Sequence, residues 1–212
     1  MARKKRTDIE IQRVKVSILK AALDLFDKFE FSELSMRMVA RKANCSVATI
    51  YNYYPNKDAL YLDVLKNGFE LLNNSIIMNK QQCPPDNLLK MMSAKFFNFA
   101  VQHKNYYNIM FSQPVPRTFD YVGTEMEQAS FEVKELALKT LNAVTEVMNN
   151  ILSRGDIKFS GEPELLAKMF LAINHGVISL YHSRILHELE QDPEGTYRMV
   201  IDKFLSFLQK DN

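Results

Sequence analysis

Apolar side chains recur every three or four positions along most of this chain, a spacing that places them on one face of an α-helix. The first such run spans residues 8–29, with Ile11, Val14, Ile18, Ala22, Leu25 and Phe29 as its apolar positions. Further runs span residues 57–78, 87–103, 104–111, 118–152, 164–187 and 197–208. No segment alternates apolar and polar residues as a half-buried strand does. The pattern therefore predicts an all-α fold of about nine helices.

Two short helices are predicted between residues 35 and 53. Ser35 and Ser46 each precede a helical run, and serine is a preferred cap of helix N-termini. Asn44 lies between the runs, where a tight turn needs a left-handed backbone that Asn adopts readily. Pro55 ends the second run, because proline cannot continue a helix. Together these residues predict a helix-turn-helix motif.

Charge is distributed unevenly along the chain. Residues 1–60 contain 12 Lys and Arg against 7 Asp and Glu, although the net charge of all 212 residues is only +2. Arg3, Lys4, Lys5 and Arg6 follow one another in the N-terminal tail. A basic first third indicates an anionic partner such as DNA, and an unevenly charged solvated surface is the alternative.

The composition argues against several other classes of protein. The two cysteines are far apart and no metal-ligand spacing occurs, so neither a disulfide framework nor a metal site is predicted. No glycine-rich phosphate loop or catalytic motif is present, and we therefore predict neither a cofactor nor an enzyme. No apolar run approaches the ~18–20 residues of a membrane span, so we expect a cytosolic protein without a membrane partner.

Aromatic and methionine side chains are concentrated in the middle of the chain. Most such stripes are simply core, but pockets for apolar ligands are lined by the same residue types. His175 likewise has two interpretations, a core histidine or a polar group that lines a ligand cavity. The candidate ligand-binding residues are Phe96, Phe99, His103, Tyr107, Met110, Phe111 and His175. They favour an apolar or aromatic small-molecule effector.

Residues 9–66 resemble the DNA-binding domain of TetR-type transcriptional regulators. The resemblance rests on a combined pattern of Ile18, Ala21-Ala22, Leu25-Phe26, Val39-Ala40, Ala43, Ser46, Thr49, Ile50-Tyr51, Tyr53-Tyr54 and Lys57 to Leu60. Glu30 and Asn44 stand where the family often has glycine. Val47 and Ala48 replace a frequent basic and small pair, so the base preference cannot be taken from a relative.

The resemblance implies a DNA-binding domain over residues 1–56 and a ligand-binding and dimerisation domain over residues 57–212. Val47 to Tyr53 would be the recognition helix. The implied DNA-binding residues are Arg3, Lys4, Lys5, Arg6, Arg37, Ser46, Val47, Ala48, Thr49, Tyr51, Asn52, Tyr53 and Lys57. Tyr107 to Phe111 and His175-Gly176 also resemble the WHG subgroup, although Leu171 stands where that subgroup has Trp.

We therefore expect a homodimeric regulator that binds a double-stranded, pseudo-palindromic DNA operator and is released from it by a small-molecule effector. Residues 164–208 are expected to form the dimer, because the run 164–187 is apolar around most of its circumference and needs cover on two sides. A transcriptional activator of the same fold is one alternative. A helical interaction protein that no longer binds DNA is another, and a gel-shift assay separates it from both regulators.

Overall fold

Helices account for the regular secondary structure of the chain. The computed structural model describes residues 8–77, 85–155, 157 and 159–208, and within these ranges it contains ten α-helices and no β-strand. This confirms the all-α fold class. The helices are α1 (Asp8–Phe26), α2 (Met36–Lys42), α3 (Val47–Tyr51), α4 (Lys57–Ile77), α5 (Pro85–Gln102), α6 (Lys104–Tyr107), α7 (Glu127–Arg154), α8 (Pro163–His182), α9 (Ile185–Leu189) and α10 (Pro193–Leu208).

The chain divides into two compact units. Unit 1 comprises Met1–Glu70 and His103–Glu135, and unit 2 comprises Leu71–Gln102 and Leu136–Asn212. Helices α4 and α7 each contribute residues to both units. The sequence-based division between residues 56 and 57 falls at the start of α4 and stays a prediction about function.

The core of unit 1 is built from the apolar faces of its first helices. Ile18, Ala22, Val39 and Ile50 are completely buried, and they come from α1, α2 and α3. An aromatic cluster continues this core. The ring of Phe26 stacks on Phe31 at 5.9 Å, and Tyr61 packs edge-on against both rings at 5.5 and 5.1 Å. Burial of these apolar faces supplies the main driving force for forming such short helices.

Unit 2 joins α5, α8 and α10 through a buried polar cluster. Ser93, Asn174 and Tyr197 are all buried and are hydrogen-bonded to one another. Phe97 stacks on Tyr197 with ring centres 4.3 Å apart. We call Ser93, Asn174 and Tyr197 the polar triad. Because each member is satisfied by another, the triad does not carry the cost of an unpaired buried polar group.

Several predicted helices differ in length from those observed. The first ends at Phe26 rather than residue 29, and Phe29 is 40% exposed instead of lying on the core face. In the connection that follows, the carboxylate of Glu33 accepts a 3.0 Å hydrogen bond from the backbone N–H of Glu30. The recognition helix ends at Tyr51, since Tyr53 N–H bonds to Ile50 three residues back and Pro55 follows.

The predicted helix over residues 164–187 is interrupted at residues 183–184, near its C-terminal end. Helix α8 ends at His182, Arg184 has a left-handed backbone with φ of 65°, and α9 begins at Ile185. The predicted run 118–152 is also interrupted, near Gly123. A 3-10 helix covers Thr118–Tyr121, Gly123 has φ of 78°, and α7 begins at Glu127.

Candidate functional site

The helix-turn-helix motif is fixed by the local interactions that its sequence predicts. Ser35 Oγ accepts a hydrogen bond from Met38 N–H at 3.3 Å, and Ser46 Oγ accepts one from Thr49 N–H at 3.0 Å. Asn44 has φ of 52°, the left-handed conformation expected for the turn. Both caps and the turn are thereby confirmed. The caps fix where α2 and α3 begin, because each serine side chain satisfies a free backbone N–H in the first turn of its helix.

Helix α3 presents one face to solvent and the other to the core. Tyr51 is 52% exposed, and Ala48 and Asn52 are exposed with it. Thr49 is only 6% exposed, and its Oγ1 lies 2.8 Å from Ser46 Oγ. The sequence pattern did not show that the hydroxyl of Thr49 faces the core whereas that of Tyr51 belongs to the exposed face. The outward face available to a partner is therefore formed by Ala48, Tyr51 and Asn52.

The remaining residues predicted to bind DNA are distributed around this face. Ser46 and Arg37 are exposed, and Val47 and Tyr53 are half-buried. Arg41 is exposed and lies one helical turn after Arg37, so both side chains lie on the same side of α2. The Arg3, Lys4, Lys5 and Arg6 prediction lies outside the described residues. All of these DNA contacts stay predictions.

Lys57, also predicted to bind DNA, makes contacts inside unit 1. Its ammonium group donates a 2.6 Å hydrogen bond to the backbone carbonyl of Phe31 and lies 4.3 Å from the centre of the Phe31 ring. This pair joins the first residue of α4 to the connection that follows α1. A cation over an aromatic face adds electrostatic attraction to the hydrogen bond.

Tyr54, a buried tyrosine three residues after the end of α3, helps to position the helix-turn-helix motif, and the sequence pattern did not predict this role. Tyr54 donates a 2.7 Å hydrogen bond to Asp63 Oδ2, and Lys15 lies 3.0 Å from the same oxygen. Burial, together with the Asp63 carboxylate, raises the pKa of Tyr54 above its ordinary value of 10.0. The phenol therefore stays protonated and remains a donor at neutral pH. These three residues connect the end of the motif to α4 and α1.

A second set of contacts holds the first turns of α4. Tyr121 donates a 2.9 Å hydrogen bond to Asp58 Oδ1, and Tyr61 donates one of 3.0 Å to the Pro116 carbonyl. Asn56 Nδ2 donates to Glu125 Oε1 at 3.0 Å. The segment 116–125 therefore holds the helix that directly follows the recognition helix. Sequence spacing gave no sign of these pairs, because up to 69 residues separate the partners.

The predicted ligand-binding residues fall into two groups. Unit 1 holds His103, Tyr107, Met110 and Phe111, and the rings of Tyr107 and Phe111 lie 5.3 Å apart. Phe96, Phe99 and His175 belong to unit 2, where His175 packs edge-on against Phe96 at 5.0 Å. Burial lowers the pKa of His175 to about 4. Its imidazole is therefore neutral at neutral pH.

A cavity of about 30 Å³ lies within unit 2. Of the predicted ligand-binding residues, Phe96 lines it. The sequence missed the rest of the lining, because the side chains come from α4, α5, α7 and α8. They are Ile76, Met92, Ser93, Thr140, Leu141, Val144, Ala167, Phe170, Leu171 and Asn174.

Two protein-family models match this chain. The model described as "Bacterial regulatory proteins, tetR family" matches residues 18–64, which include the helix-turn-helix motif. The model described as "Tetracyclin repressor-like, C-terminal domain" matches residues 89–204, more than half of the chain. The finer WHG resemblance stays a prediction.

Similar sequences and structures agree with these models. The HTH-type transcriptional regulator RutR of Escherichia coli K12 is 40% identical over 52 residues, which are 24% of this chain and 24% of RutR. A tetR-family regulatory protein from Rhodococcus RHA1 superposes with a TM-score of 0.75 at 12% identity, covering 94% of this chain and 98% of that one. FadR from Bacillus subtilis, solved in complex with stearoyl-CoA, gives 0.70 at 15% identity, covering 92% and 99%. Across the described residues, no helix combines the length and apolar character that crossing a membrane requires.

Proposed function

This chain belongs to the tetracyclin repressor-like (TetR) family of regulatory proteins, and from that premise we propose that it is a ligand-released transcriptional repressor. It is a DNA-binding regulator by family. The finer proposal is that two subunits bind a pseudo-palindromic operator and that a small molecule weakens this binding. We also propose that it acts in the cytoplasm and catalyses no reaction.

The outward face of α3 is the observation that carries the DNA-binding proposal. Tyr51 is large, aromatic and half-exposed, yet it belongs to a short helix whose Ile50 is completely buried. A tyrosine so placed combines a hydroxyl for phosphate or base edges with an apolar ring for a thymine methyl. Exposed Arg37 and Arg41 on α2 supply charge for the phosphate backbone.

The exposed face of α8 supports a dimer. Leu165, Met169, Ala172, Gly176 and Leu180 are all exposed, and they follow one another at steps of four and three residues. Such a stripe lies on one side of a helix. Met199 and Phe207 are exposed on α10. We propose that these two helices pair with the same helices of a second subunit, since a self-complementary patch favours two-fold symmetry.

Release by an effector is proposed because a protein of similar fold was solved with a bound ligand. FadR from Bacillus subtilis was solved with stearoyl-CoA, and its fold covers nearly the whole of this chain. We propose that a small molecule binds unit 2 of this protein and favours a conformation that holds DNA weakly. The ligand can shift that equilibrium only by its difference in affinity for the two conformations.

The test begins with selection of bound duplexes from a random-sequence library by the full-length protein. We expect a two-fold-symmetric consensus and an affinity that falls steeply with salt. Tyr51→Ala should weaken binding to that consensus at least tenfold. Phe119→Ala, which removes an exposed aromatic outside the motif, serves as the matched control. Failure to enrich any sequence would favour the interaction-protein alternative.

Transcription in vitro separates a repressor from an activator. The selected sequence is placed over a promoter, and transcript is measured with and without the protein. Less transcript with added protein is expected for a repressor, and more transcript would establish the activator alternative.

A further inference from the structure

The cavity in unit 2 has apolar walls. Met92 and Phe96 approach it from α5, Val144 from α7, and Ala167 and Phe170 from α8. Among the described residues that line it, none is charged. A hydrocarbon group placed there would exchange water for apolar contacts, which is the usual driving force for ligand burial.

The polar side chains in the cavity wall already have protein partners. Ser93 Oγ and Tyr197 Oη both bond to Asn174 Oδ1, and Tyr197 Oη also lies 2.8 Å from the Ser93 carbonyl. Asn174 Nδ2 donates to the Phe170 carbonyl at 2.7 Å. A ligand acceptor atom would therefore find a donor here only if one of these bonds broke.

Thr140, the other polar residue of the cavity wall, also has a hydrogen-bond partner within the protein. Its Oγ1 donates a 2.7 Å hydrogen bond to Asn73 Oδ1, and Asn73 Nδ2 donates to the Leu136 carbonyl at 2.9 Å. The neutral imidazole of His175 packs edge-on against Phe96 and adds no charge. Burying an unsatisfied polar atom costs about 1–3 kcal/mol, so this site discriminates against polar groups.

We propose that this cavity receives the hydrocarbon part of the effector, an alkyl or aryl group with no hydrogen-bonding atom at its buried end. This inference rests on the proposed function for the existence of an effector. At about 30 Å³ the cavity is much smaller than the ~300 Å³ of a typical ligand pocket. Entry therefore requires lining side chains to move, and Met92 is of the type that repacks most readily.

Helix α8 connects this cavity to the proposed dimer interface. Ala167, Phe170 and Asn174 face the cavity, whereas Met169 and Gly176 lie on the exposed side of the same helix. Packed interiors transmit displacement because they contain little free space. Widening the cavity would therefore displace the helix that we propose sets the distance between two recognition helices.

The direct test uses benzene and pyridine, which have nearly the same size and shape. Methyl resonances of the wild-type full-length protein are followed as each compound is added without DNA. We expect saturable shifts at Met92, Val144 and Leu171 with benzene. Pyridine should bind about tenfold more weakly, because its ring nitrogen would lose water without gaining a partner. Equal binding of both compounds, or shifts confined to other methyl groups, would overturn the inference.

Substitutions in the wall provide the second arm. Ala167→Leu fills the cavity and should abolish benzene binding, whereas Ala94→Leu adds the same atoms at an exposed position of α5 and should not. Val144→Thr keeps the wall's shape but adds a hydroxyl, and we expect about tenfold weaker benzene binding. If Ala167→Leu does not fold, Val144→Thr decides the question. Undiminished binding in that variant contradicts the inference.

These measurements are independent of DNA binding. If the wild-type protein shows no sequence-specific DNA binding, the proposed function is overturned, but benzene binding to unit 2 remains a valid observation. Specific DNA binding without hydrocarbon binding in unit 2 would overturn this inference alone.

Discussion

Lys57 donates a 2.6 Å hydrogen bond to the backbone carbonyl of Phe31, and its ammonium lies over the Phe31 ring. The family resemblance assigns this lysine to a DNA phosphate. In the structure it also joins the start of α4 to the connection after α1. A substitution here therefore changes both stability and the charge offered to DNA.

Lys57→Met keeps most of the side-chain stem and removes the donor. We expect a loss of about 1 kcal/mol in the free energy of unfolding, because the Phe31 carbonyl loses its partner. If Lys57 also contacts phosphate, the slope of log affinity against log salt should fall by about 1. Urea unfolding and anisotropy titrations measure the two effects. Lys28→Met, at an exposed position of unit 1, is the control.

Thr49 and Tyr51 should respond in opposite ways. Thr49→Val removes a buried hydroxyl bonded to the cap Ser46, and we expect a stability loss of about 1 kcal/mol. Tyr51→Ala removes an exposed ring, so its effect on stability should stay within about 0.5 kcal/mol while DNA affinity falls. Thermal unfolding and gel shifts on both variants check this. A Thr49→Val protein as stable as wild type would contradict the inward orientation.

Tyr121→Phe removes the hydrogen bond to Asp58 without changing the ring. Burial and the Asp58 carboxylate raise the pKa of Tyr121, so the phenol is a protonated donor at neutral pH. We expect the variant to lose about 1 kcal/mol of stability and to bind DNA less tightly, because the first turn of α4 is held less firmly. Phe119→Leu, on the same 3-10 helix but exposed, should leave both quantities unchanged.

Substitutions of Gly176 test whether α8 packs against a second subunit or faces solvent. A Cβ added there meets no atom within 4 Å, so larger residues fit the isolated subunit. Gly176→Ala should stabilise the helix by up to about 1 kcal/mol. Gly176→Leu should weaken the dimer measured by sedimentation velocity, because close helix packing leaves no room for the new side chain. A dimer of undiminished affinity would exclude Gly176 from the interface.

His175 should make stability depend on pH. Its folded-state pKa of about 4 lies below its ordinary value of 6.5, so the unfolded chain takes up the proton first. This contribution to stability is present above pH 6.5 and is lost as pH falls towards 4, by up to about 1.4 kcal/mol per pH unit. Urea unfolding of His175→Gln should show a flatter pH dependence over that window.

The helix-turn-helix motif was largely predictable because its determinants are local. Ser35 and Ser46 bond to backbone groups three residues away, and Asn44 occupies the left-handed conformation its residue type favours. The break at Arg184 was not predictable in this way. It has a left-handed backbone without a glycine or proline to mark it, and the apolar spacing continues through it.

By itself, the sequence determined the all-α class, the starts of α2, α3 and α4 and the family resemblance, since periodicity and capping act within a few residues. Only the tertiary structure decided which hydroxyls of α3 face inward, and that Lys57 bonds to Phe31. The cavity likewise depends on packing, because Met92, Val144 and Phe170 belong to three helices far apart in the chain. Side-chain orientation and cavity shape arise from contacts between distant segments, and no local spacing records them.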